Sequence, residues 1–216
     1  MAEAATITVR GVGSVSVSPD RTVVTFKVSA LDREYGASAD SLNERVAGLR
    51  KRLTANGIAG ASLKTTQYTI SPEHEWRGTG ENRHQVFVGW RAWHMMRLEL
   101  SVDRELLNKA FAAITAEELD ASLSVGFEVS DKEALRTKIL ETATRNACRN
   151  ADAIARASGC TLGRALRIDY SWSEVRFRGM MYDAAPDMQA ASSAPDIEPD
   201  DVSGEDSVTI VFELTS

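Results

Sequence analysis

The chain is poor in the residues that carry most recognisable chemistry. It has two cysteines, Cys148 and Cys160, and a disulfide-stapled fold needs more of them in a shorter chain. Helical spacing would hold those two about 18 Å apart, so both are expected as free thiols. Three histidines, His74, His84 and His94, leave few options for a metal centre. No apolar run approaches the roughly 20 residues of a membrane helix, so no membrane span is expected. No basic stripe is present, which argues against nucleic acid as a partner. No Ser-His-Asp spacing, Walker glycine loop or paired-carboxylate motif occurs. The segment GVGSVS at 11–16 lacks the third glycine and the following helix of a phosphate loop. The expected reading is a protein without catalytic residues and without a cofactor.

The formal net charge is −6, and it is unevenly placed. Residues 179–206 contain Asp183, Asp187, Asp196, Glu198, Asp200, Asp201, Glu205 and Asp206 and no Lys or Arg. Without them the rest of the chain is slightly positive. Low apolar periodicity in that stretch reads as a flexible loop, with a lid over a site as the alternative. The opening MAEAATITVR has neither a basic n-region nor an apolar h-region. As the sequence stands, a cytoplasmic protein is expected, or a periplasmic one if a leader has been removed.

What is present is alternation. Ile7, Val9, Val12, Val15 and Val17, then Val23, Val24, Phe26 and Val28, flank Ser18-Pro19-Asp20. β-branched residues on either side of a Pro-Asp turn predict a hairpin. Gly11 and Gly13 within its first strand imply a bulge or a close backbone. Leu42, Val46, Leu49 and Leu53 form an apolar stripe on a helix over 37–56. Strands are expected at 63–74 and 85–101, the latter with Trp90, Ala92, His94, Met96 and Leu98 on a core face. At about 3.3 Å per residue that strand would span roughly 56 Å, so it must bend or project. Asp103 caps a second helix to Thr115. A strand at 122–129 follows, then a third helix to Ser158 with Leu135, Ile139, Ala143, Ala147 and Ile154 as its stripe. Strands at 163–172 and 207–214 close the chain. The order ββαββ-αβαββ predicts an α+β protein with antiparallel or mixed sheets, helices on one face and a loose internal duplication. One domain over 1–216 is expected, with subregions 6–101 and 102–216.

The stretch ITVRGVGSVSVSPD, the helix end ARASGCTLG and the closing IEPDDVSGEDSVTIVFEL resemble the SIMPL-domain family. Its pattern pairs a G-x-G strand ending in Pro-Asp with A-x-x-x-G-x-x-L-G and a final V-x-V-x-F-x-L strand. Gly11, Gly13, Pro19, Asp20, Ala155, Gly159, Leu162, Gly163, Val208, Ile210, Phe212 and Leu214 match it. Asp200-Asp201 stands where the family often has Pro-Gly. The resemblance implies a bacterial, envelope- or stress-associated protein with no established catalytic residues. One relative is an immunogen that assembles into a ring.

Three site hypotheses follow. Trp76, Phe87, Trp90, Trp93 and Met95 concentrate on one hairpin, and interface cores favour such residues, so a homo-oligomer contact is expected there. The segment HEWRGTGENRH is symmetric about Thr79, which would set His74 opposite His84 as two metal ligands. A solvated hairpin tip is the plainer reading. Cys148, flanked by Arg145 and Arg149, would be a thiol sensor if those cations act on it. The plainer reading there is a small residue at a helix–sheet contact. A small-ligand or metal-dependent protein and a thiol sensor are the alternatives to self-assembly.

Overall fold

The computed structural model describes residues 5–116, 123–170, 181–183 and 198–215. Most of the acidic stretch at 179–206, and Trp172 at the end of an expected strand, lie outside the described residues. The first two strands, β1 (Thr6–Val17) and β2 (Arg21–Asp32), form where alternation predicts them. They do not pair with each other, which corrects the hairpin expectation. Burial supplies the reason. In β2, Thr22, Val23, Val24, Phe26, Val28, Ser29 and Ala30 are all buried, so both faces and both edges need cover. The strand obtains it between β4 (His84–Ser101) and β5 (Leu123–Glu128). β1 instead alternates between buried and exposed positions and pairs with β8 (Val202–Thr215) along its whole length. Ser18-Pro19-Asp20 therefore links two sheets.

Two compact units result. One holds 1–19, 129–179 and 199–216, and the other 20–128 and 180–198. In the first, β1, β8 and β6 (Thr161–Asp169) make a three-stranded antiparallel sheet in the order β1-β8-β6. The helix α3 (Lys132–Ala157) packs on β1 and β8. In the second, the strand order is β3-β4-β2-β5-β7, with β3 spanning Leu63–Arg77 and β7 Met181–Asp183. The helices α1 (Tyr35–Ala55) and α2 (Arg104–Thr115) cover one face. The α+β class and the placement of helices are as the sequence implies.

The connections repeat between these two units rather than between the halves 6–101 and 102–216. Each unit contains a strand, a helix and two further strands, β1-α3-β6-β8 and β2-α1-β3-β4, and in each the last strand lies between the other two, in the orders β1-β8-β6 and β2-β4-β3. The repeat runs interleaved along the chain, with the whole second copy between β1 and α3.

The helix stripes decide how closely each helix approaches its sheet. Leu42, Val46, Leu49 and Leu53 of α1 are buried as expected and join Val24, Phe26, Val28, Met96 and Leu98 in the larger core. Asp103 caps α2, accepting from the amides of Glu105 at 2.7 Å and Leu106 at 3.0 Å. On α3 the buried stripe continues through Ala151 and Ala155, while Ile154 is 51% exposed, a correction to the expected stripe. Steps of four carry the stripe from Leu135 to Ala155, and Ile154 falls one residue to the side.

Those alanines meet Gly11 and Gly13. A Cβ added at Gly11 would lie 2.1 Å from the Ala143 carbonyl oxygen, and one at Gly13 2.1 Å from that of Ile139. Strand and helix thus touch backbone to backbone, as the glycine pair implied. The Asn146 amide adds a bond to the Val12 carbonyl at 2.7 Å.

Gly11→Ala should therefore cost about 1–3 kcal/mol or more, since the crowded atoms are backbone and cannot turn aside. Gly36→Ala on α1, where a Cβ meets nothing within 4 Å, should leave stability within about 0.5–1 kcal/mol of the parent. Urea denaturation of both variants checks this, and equal midpoints would refute the close contact.

Candidate functional site

The hairpin of β3 and β4 carries most of the site residues read from the sequence. β4 is 18 residues long, and it both bends and projects. Bends arise at two register shifts, where Thr66 of β3 and Val88 of β4 are the extra residues. At the second, Gly89 lies against β2: a Cβ there would be 2.4 Å from the Asp32 carbonyl oxygen. Projection follows from register. Pairing of β2 with β4 ends at Asp32↔Trp90, so among the described residues 84–89 of β4 pair with no strand but β3.

The same register sorts the aromatic residues onto two faces. Residues paired across an antiparallel ladder share a face, and faces alternate along each strand. The pairs Tyr68↔His94, Ile70↔Ala92, Pro72↔Trp90, His74↔Phe87 and Trp76↔Gln85 lie on the helix-covered side. The bulge at Val88 shifts the alternation by one, which turns Phe87 onto the face of Trp90. Their rings meet edge to face at 6.0 Å. Tyr35, the first residue of α1, meets Trp90 at 5.3 Å, and His74 meets Phe87 at 5.6 Å. The Arg83 guanidinium sits 4.7 Å over the ring of Trp76. Beyond the helix this strip is open: Tyr35 is 55%, Phe87 46% and Trp76 56% exposed.

Trp93 and Met95 lie on the other face, both half-buried. There Lys27 stands 5.2 Å from the centre of the Trp93 ring. Arg91 grips Glu73 with two bonds of 2.8 and 3.1 Å and reaches the Ser29 hydroxyl at 3.3 Å, joining three strands. Farther along, Arg97 and then Arg21 hold the Glu99 carboxyl below the usual carboxylate range. The five expected interface residues are therefore not one patch. Trp76, Phe87 and Trp90 belong together, and Trp93 and Met95 belong to a braced polar face. Tyr35 was missed because it comes from a helix start 55 residues before its partner Trp90 in sequence.

The histidine pair is corrected. His84 pairs with Arg77, and His74 with Phe87. The turn occupies 78–83, with Gly78 and Gly80 at φ of 89° and 62°, so its centre lies beyond Thr79. The shift is odd, and it puts the two imidazoles on opposite faces of the ribbon. The His84 Nδ1 contacts the Asn82 carbonyl at 3.0 Å. Among the described residues no group of three metal-ligating side chains converges. Cys148 and Cys160 are free, as spacing predicts, but Cys148 is exposed rather than packed on a sheet. Its flanking cations face elsewhere: Arg145 pairs with Glu141, and Arg149 donates to the Asn146 side chain.

His94 is half-buried under the strip, sharing a 3.1 Å bond with the Thr65 hydroxyl and a 4.8 Å ring contact with Tyr68. Burial, and secondarily Arg50, lower its pKa from the ordinary 6.5. With the folded value depressed, the unfolded chain binds the proton first as pH falls below about 6.5, so folding stability declines there. Thermal unfolding from about pH 7.5 down to about pH 5.5 should show a smaller loss of Tm in His94→Gln than in the parent. Equal losses would mean that His94 is not linked to folding.

Residues 7–212 match the SIMPL family, described as "Protein of unknown function (DUF541)". An uncharacterized protein YggE of Edwardsiella ictaluri is 28% identical over 207 residues, covering 95% of this chain and 85% of that protein. The YggE protein of Escherichia coli K12 is 24% identical over 212 residues, 96% of this chain and 82% of its own length. The family match spans nearly all of both sheets, and the glycines that bring β1 onto α3 fall within it: this chain belongs to the SIMPL family.

Proposed function

We propose that this chain is a non-enzymatic, self-assembling SIMPL protein whose β3–β4 hairpin makes the subunit contacts. One observation carries the reading: an unflanked two-stranded ribbon that holds an open aromatic strip. An isolated two-stranded ribbon is marginal in water and needs further strands or a packed face. Here residues 74–77 and 84–87 pair with no further strand among the described residues, yet they present Phe87 and Trp76 to solvent. Large aromatic side chains beside arginine, here Trp76 under Arg83, are the groups that dominate protein interfaces. A second copy of the same strip is the partner of matching chemistry. No convergent catalytic set competes with this reading among the described residues.

Light scattering on a size-exclusion column should find an assembly larger than one 23.5 kDa chain. Trp76→Ala with Phe87→Ala should weaken it, each truncation by about 1–2 kcal/mol, while Met95→Ala on the opposite face leaves the mass unchanged. A parent protein that stays monomeric at every concentration overturns the proposal.

A further inference from the structure

Beyond assembly, the hairpin base contains a cavity of about 420 Å³ lined by Arg33, Arg77, Val86, Phe87 and Val88. We propose that it binds a small amphipathic carboxylate, with the two guanidinium groups holding the head and the valine–phenylalanine wall holding a short apolar body.

The chain builds this cavity by backbone means. Arg33 follows β2 in the turn into α1. The close contact of Gly89 with the Asp32 carbonyl holds that turn against the ribbon, and the extra residue Val88 lies beside it. Val86 and Arg77 follow toward the tip on alternate pairs of one face, Glu75↔Val86 and Arg77↔His84. The cavity thus draws its charge from the turn after β2 and from the end of β3, and its apolar wall from β4.

Its electrostatics call for an anion. Arg33 makes no ion pair among the described residues; its neighbour Asp32 instead accepts from the Glu34 amide at 3.0 Å. Arg77 has one exposed partner, Glu75 at 3.4 Å, with both side chains 60% accessible, a geometry that holds the charge weakly. Two cations on one cavity repel until an anion lies between them, and a guanidinium fork matches a planar carboxylate with two parallel bonds. The apolar wall excludes a bare ion as the best fit. The volume falls within the roughly 300–1,000 Å³ of small-molecule sites.

Octanoate is the probe, titrated calorimetrically into the full chain at a concentration where its mass is known from light scattering. Saturable binding of one octanoate per chain is expected. Acetate, which lacks the apolar body, and octanol, which lacks the charge, should each bind at least about tenfold more weakly. The Arg33→Gln/Arg77→Gln double variant should lose at least about tenfold in octanoate affinity at unchanged Tm, because both side chains are exposed. Val86→Asp provides a second variant with the same expected loss. No octanoate binding, equal binding of octanol or acetate, or undiminished affinity in the double variant overturns the proposal. Assembly is read independently by mass, so failure of either proposal leaves the other distinguishable.

Discussion

The register of β2 on β4, from Arg21↔Ser101 to Asp32↔Trp90, is the constraint on which the larger unit depends. It places Val24, Phe26 and Val28 beside Leu98, Met96 and His94 under the helices, and Lys27 and Ser29 beside Met95 and Trp93 on the braced face. A slip of one residue would exchange those faces and bury Lys27. The same register sets where β2 stops. Everything in β4 before Trp90 must then do without a second flanking strand, and the ribbon, its aromatic strip and its basic cavity all begin at that boundary.

The smaller unit rests on a different device. Its core is thin in large side chains: Ala143, Ala147 and Ala151 face Val9, Val208, Ile210 and Phe212. Such a helix gains packing only by coming close, and Gly11 and Gly13 remove the atoms that would prevent it. The two units share a connection but not a packing solution. α1 stands off on leucines, whereas α3 lies down on alanines against glycine.

The bulge at Val88 links fold to surface. By shifting alternation one step, it turns Phe87 toward Trp90 and leaves Val86 and Val88 beside the arginines. Without that extra residue, the aromatic residues of the tip would be divided between the faces. A single irregularity in a long strand thus creates both a continuous strip and the cavity behind it.

Much of this was legible in the residues. The leucine stripe of α1, the Asp103 cap, the close approach at Gly11 and Gly13, and the long strand that must bend or project all follow from local periodicity and side-chain type. Local patterns also implied a first hairpin and a histidine pair, and both failed at pairing. Alternation states that a segment is a strand but not which strand lies beside it, and β1 found its partner some two hundred residues away because β2 needed neighbours on both edges. Symmetry about Thr79 placed His74 against His84, but the positive-φ glycines moved the turn and the odd shift separated the rings. The sequence by itself determined the elements, their caps and their buried faces, since these depend on contacts within a few residues. Pairing, register and the bulge, and with them which aromatic residues share a surface and which arginines share a cavity, were decided only in the tertiary structure, where burial of β2 on both sides outweighed every local turn signal.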